Sequence, residues 1–213
     1  MPHAIRKFTM TMMLGLVLIA VLAMPAMAAQ EQPSAIVNPG LAINIVWTLV
    51  AGFLVMFMQA GFAMVETGFT RAKNVAHTMS MNLMIYAIGV LGYWICGFAL
   101  QMGGVGAVPT LGDASGLNHE VTLHLSSKAF GLLGLKGFLL SGNSFNSGVF
   151  ALFLFNMVFM DTAATIPTGA LAERWKFSSF VIFGFFMAMF VYPLFANWVW
   201  GGDGCLGLEQ TLG

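Results

Sequence analysis

Charges interrupt the apolar pattern of this chain at only a few points. Arg6 and Lys7 open it and Glu31 stands alone. Glu66, Arg71 and Lys73 form one group, Asp113, Glu120, Lys128 and Lys136 a second, and Glu173, Arg174 and Lys176 a third. Asp161 is isolated, and Asp203 and Glu209 lie near the end. Five uncharged windows result, at 8–30, 32–65, 74–112, 137–160 and 177–202. A helix needs roughly 20 mostly apolar residues to cross about 30 Å of hydrocarbon, so each window accommodates one crossing.

The first window reads differently from the rest. Arg6 and Lys7 make a basic start, Leu14–Leu22 is a short apolar stretch, and Pro25-Ala26-Met27-Ala28 ends in an Ala-x-Ala site before polar Gln30-Glu31-Gln32-Pro33. That order predicts a cleaved signal peptide over 1–28, the alternative being a retained first helix. Residues 29–213 then form an all-α integral membrane domain with four spans, at about 42–65, 78–102, 147–168 and 178–198.

Composition narrows the class further. Eight Lys+Arg and eight Asp+Glu in 213 residues, 59% hydrophobic residues and a formal net charge of zero leave no basic face for nucleic acid. Mean hydropathy is +0.87. Disordered chains and ordinary soluble enzymes, with about a quarter of their residues charged, are also excluded. Cys96 and Cys205 cannot make a disulfide framework, and a bond between them is not expected.

Arg71 and Lys73 in one short loop, with Arg174 and Lys176 in another, place loops 66–77 and 169–177 in the cytoplasm by the positive-inside rule. A cleaved signal independently puts the mature N-terminus outside the plasma (inner) membrane. Segment 103–146 becomes an extracytoplasmic loop, read here with one short amphipathic helix near 121–140.

The histidines, His3, His77, His119 and His124, all fall outside the apolar cores, so no intramembrane metal site or proton relay is expected. No phosphate loop, Cys-x-x-Cys or nucleophile elbow occurs. The sequence points to neither an enzyme nor a cofactor. Two acids remain. Glu66 reads as a helix-end carboxylate paired with a loop cation. Asp161, 13 residues before Arg174, falls near mid-bilayer, where a carboxylate costs about 2.5–3.5 kcal/mol on insertion scales and faces the protein interior. It is either a pathway residue or a structural helix-to-helix acceptor. Phe155 and Phe159 share a helix face, and Asp161 lies about 200° around from Phe159, which favours the structural role.

Met58-Gln59-Ala60-Gly61-Phe62-Ala63-Met64-Val65-Glu66-Thr67-Gly68 followed by Thr70-Arg71-Ala72-Lys73-Asn74 resembles the end of the first helix of Amt/Mep/Rh ammonium transporters. Tyr93-Trp94 with Gly97-Phe98-Ala99-Leu100 is similar to the end of the second. Phe155-Asn156-Met157-Val158-Phe159, Thr162-Ala163-Ala164-Thr165-Ile166 and Gly169-Ala170-Leu171-Ala172-Glu173-Arg174 resemble the third. Tyr192-Pro193 and Trp198-Val199-Trp200-Gly201-Gly202 resemble the fourth and the glycine turn after it.

The resemblance implies the first four helices of an eleven-helix inverted-repeat fold. It also implies a homotrimer, ammonium or ammonia as substrate, and a possible cytosolic regulatory protein as partner. It aligns Trp200 with a vestibule tryptophan that attracts the cation, Phe159 with a gate phenylalanine, and Phe155 with a weaker gate candidate one turn outward. Taken alone, Trp200 reads as an interfacial belt residue, and the two Phe as ordinary rings among twenty.

The chain departs from the pattern at Asp161, where many relatives have alanine, and at Ile85, where many carry an acid. It also stops at Gly213, before the family's fifth helix, its Asp-Phe-Ala-Gly motif and its pore histidines. An N-terminal fragment of a transporter is therefore the leading expectation. An ammonium sensor joined to a signalling domain, or an inert truncated subunit, are the alternatives.

Overall fold

The computed structural model describes residues 38–106, 108–112, 116–125 and 128–201. The signal peptide expected over 1–28 and Cys205 lie outside the described residues. Among the described residues four helices are long and apolar enough to cross a membrane: α1 (Pro39–Phe69), α2 (Ala72–Met102), α3 (Ser147–Ala170) and α4 (Phe177–Trp200). Each overruns its expected window by a few residues or coincides with it. The largest excess is in α1, whose 31 residues extend about 46 Å.

Local chemistry sets the helix starts. Asn38 caps α1 by accepting from the Leu41 amide at 3.3 Å, and Pro39 occupies the first turn, where no donor is needed. Asn146 caps α3 in the same way, accepting from the Val149 amide at 2.9 Å. Glycine lets α1 approach α3. Gly52 is buried against Leu154 and Phe155, whereas Trp47, Leu54 and Phe57 of α1 are exposed.

Helices α2 and α4 each contain a π-helical turn, Tyr93–Gly97 and Met187–Val191, and the two turns pack on each other. Pro193 explains the one in α4. Lacking an N–H, it cannot satisfy a carbonyl one turn back, and one carbonyl there finds a donor in α2. The Cys96 thiol donates to the Met189 carbonyl at 3.6 Å, and the Ala188 carbonyl sits against Gly97, where a Cβ would overlap it. Around this junction Tyr93, Phe98 and Phe153 form a ring cluster with centroids 5.5–6.1 Å apart. Ile85, one of the departures from the family pattern, is fully buried and packs into the gap left by Gly184.

Between α2 and α3 the expected amphipathic helix near 121–140 is replaced by an antiparallel hairpin, β1 (Glu120–Leu125) and β2 (Lys128–Gly134). The reasons are local. Val121 and Thr122 are β-branched, and Gly131 and Gly134 are weak helix formers. Gly134 also lies so close to Gly103 and the Ala99 carbonyl that a side chain would collide with the end of α2. The hairpin is tied to that end by His119 N donating to Gly103 O at 3.0 Å and Gly106 N to Leu117 O at 2.6 Å. Pairing runs Val121 to Leu133 and then Thr122 to Gly131, so Leu132 is left over as a bulge.

Candidate functional site

Polar side chains inside the apolar windows are brought together in two layers. At the end carrying the short loops, Glu66 of α1 is only 8% exposed. Its Oε2 accepts from Asn82 Nδ2 of α2 at 2.7 Å and from the Thr168 hydroxyl of α3 at 2.5 Å. Gln59 continues the layer, donating to the Asn82 carbonyl at 2.6 Å and accepting from the Thr165 hydroxyl at 2.9 Å. Gly169 gives the carboxylate its space, since a Cβ would fall 2.9 Å from Glu66 Oε1 and displace it. The pairing of Glu66 with a loop cation is thus overturned: its partners are neutral and buried, and they join three helices.

The loop cation Arg71 binds Glu173 instead. Its amide donates to Oε1 at 2.8 Å, and its guanidinium reaches Oε2 at 2.6–2.7 Å. The Arg71 side chain, the Asn74 side chain and the Arg71 amide hold the Glu173 carboxyl down at about 2, and Glu173 in turn raises the guanidinium. Glu173 adopts a left-handed backbone, φ 66°, in the turn ending α3.

Toward the hairpin end the second layer is neutral. The Tyr93 hydroxyl donates to Gln101 Oε1 at 2.6 Å, Gln101 Nε2 to Asn156 Oδ1 at 2.9 Å, and Asn197 Nδ2 to the Gln101 carbonyl at 2.9 Å. It joins α2, α3 and α4. Neither layer was singled out from the sequence. Isolated Gln, Asn and Thr within uncharged windows were the available signal, because such groups avoid lipid by facing other helices.

Phe155 and Phe159 lie edge to face on α3, with centroids 5.0 Å apart, and Phe159 is 39% exposed. Asp161, on the other side of the helix, is 2% exposed, and its Oδ1 has no hydrogen-bond partner among the described residues. Gly89 of α2 packs beside it, and a Cβ there would press on Met160, 3.0 Å from its Cε. Trp200 ends α4 with its ring largely exposed, 6.4 Å from that of Tyr192. No ring contact among the described residues joins Trp200 to the phenylalanine pair. An open groove of about 450 Å³ between α1 and α2, walled by Met56, Ala60, Met64, Met79, Leu83 and Tyr86, lies toward the short-loop end, away from Trp200.

Four apolar helices held by buried neutral and acidic hydrogen bonds define a polytopic α-helical membrane protein. A model of the Ammonium Transporter Family matches residues 46–212, and the chain belongs to that family. It is 42% identical over 165 residues to ammonium transporter Amt2 of Archaeoglobus fulgidus, a match covering 78% of this chain and 30% of that protein. Against ammonium transporter 1 member 3 of Solanum lycopersicum it is 32% identical over 170 residues, covering 80% and 32% respectively. A solved structure named Sensor Amt Protein superposes with a TM-score of 0.60 at 30% identity, covering 76% of this chain and 35% of that one. The chain therefore spans about a third of the length of these relatives.

Proposed function

We propose that these four spans are the N-terminal part of an ammonium-conducting bundle in the plasma (inner) membrane. In this reading the hairpin end faces outward and the short basic loops face the cytoplasm. Trp200 recruits ammonium at the outer mouth, where a cation over an indole face gains roughly 0.5–2 kcal/mol without a full counter-charge. Such a site holds the cation without preventing later loss of its proton. Phe159, with Phe155 one turn outward, forms part of a gate below it, and the working assembly is a homotrimer open to a cytosolic regulatory protein.

The observation that carries this reading is an exposed indole at the end of α4 in a chain of this family. Its test is concentration-dependent methylammonium uptake by the protein expressed from its complete reading frame in a host lacking its own ammonium transport. Trp200→Ala should raise the half-saturating concentration by about 2- to 30-fold. An unchanged value would remove Trp200 from the site.

A second reading, an ammonium sensor, is favoured by the likeness to the Sensor Amt Protein and by the buried acid at Asp161. It is distinguished by ammonium binding without net uptake. Asp161 is proposed as an intramembrane acid with a structural or coupling role.

A further inference from the structure

We propose that Trp198 is a positioning residue for Trp200, acting through the bulge of the hairpin; this rests on the reading of Trp200 as the cation-binding ring. Trp200 occupies the last turn of α4, where final carbonyls lack intrahelical partners and helices fray. Two preceding side chains hold that turn. Asn197 Nδ2 reaches the Gln101 carbonyl of α2 at 2.9 Å, and Trp198 Nε1 donates to the Leu132 carbonyl of β2 at 2.9 Å.

Leu132 is the bulge residue, without a cross-strand partner in the β1–β2 register. A bulge frees the extra residue's backbone from the ladder and re-aims it, and here the indole N–H meets its carbonyl. The hairpin is itself immobilised on α2 through Gly103 and Gly134, so the acceptor is fixed relative to the bundle. Trp198 and Trp200 are about 200° apart around the helix. The bond to the hairpin therefore grips the back of the turn and leaves the Trp200 ring open on the front. Rotation of this turn about the helix axis would carry the Trp200 ring with it, and the Trp198–Leu132 bond prevents that rotation.

The test uses the protein from its complete reading frame, reconstituted on solid-supported membranes, with methylammonium-induced charge displacement recorded against concentration. This readout detects binding whether or not flux follows. Three variants are compared: Trp198→Phe, replacement of Trp198 by benzothienylalanine (the same ring shape without the N–H), and Trp200→Ala. Loss of the N–H should raise the half-saturating concentration about threefold, within the 2- to 13-fold range of a single hydrogen bond, while the maximal amplitude stays unchanged.

Trp200→Ala should raise it further. If Trp198→Phe fails to assemble, the benzothienylalanine protein decides alone. An unchanged half-saturation beside a raised one in Trp200→Ala overturns the positioning role only. A fall in amplitude at constant half-saturation also overturns it, since that is what a purely structural residue would give. An inert Trp200→Ala removes both the reading of Trp200 and this proposal.

Discussion

The two ends of the bundle are held together by different chemistry. At the short-loop end, side chains do the joining: a buried carboxylate, Glu66, takes hydrogen bonds from Asn82 and Thr168, and an exposed ion pair, Arg71–Glu173, closes the loops. At the hairpin end the joining groups are all neutral: Gln101 Nε2 reaches Asn156 Oδ1, and side-chain donors reach backbone carbonyls, with Asn197 on Gln101 and Trp198 on Leu132. Glycines there admit backbone to backbone. A single acceptor shared by two helices concentrates stability in one residue, whereas several separate bonds spread it over many. The first end should be brittle toward single substitutions and the second tolerant of them, except where a glycine is filled.

Three substitutions probe that contrast, read by thermal and denaturant unfolding of the detergent-solubilised protein. The largest effect should come from Glu66→Leu, which removes the acceptor shared by Asn82 and Thr168 and leaves each only a carbonyl of its own helix, Thr78 and Thr165; a loss of about 2–3 kcal/mol is expected. Retention of wild-type stability would show that the layer is not what joins α1 to α2 and α3. Gly134→Ala comes next, at about 1–3 kcal/mol, because the added methyl meets backbone rather than a yielding side chain. Proteolysis should then cut selectively within 103–134.

Arg71→Ala should have the smallest effect, one that high salt already erases in the wild type, since the Arg71 side chain is 66% exposed. This pair also has a pH signature. The Glu173 carboxyl is held below its ordinary 4.5, so its contribution is complete above that value and is lost as pH falls toward about 2. Arg71→Ala should abolish the part of the acid-induced destabilisation that falls in this window.

Much of the fold could be read from where the charges are not. Each of the four expected spans is a helix, because a long, mostly apolar run has few other ways to satisfy its backbone in lipid. The segment between α2 and α3 was misread because its apolar residues suit either period. The choice of strand was made by β-branched Val121 and Thr122 and by glycines whose need for close approach exists only once the end of α2 is in place. Trp200, Phe155 and Phe159 are candidates through resemblance rather than through their own chemistry, since nothing about a single ring in a span marks it out. Glu66 was noticed but given the wrong partner. Proximity in sequence favoured Arg71 and Lys73, whereas the partners that it has lie 16 and 102 residues away.

By itself, then, the sequence determined the class of protein, the presence of four long apolar helices among the described residues, and the family, all consequences of local hydropathy and of short motifs. The tertiary structure alone decided which polar groups face one another, that Pro193 is accommodated by Cys96 and Gly97 of another helix, and that the bulge at Leu132 meets Trp198. Those pairings depend on the rotation and depth of each helix against its neighbours. A helix that is apolar on nearly every face does not reveal that rotation through its own pattern.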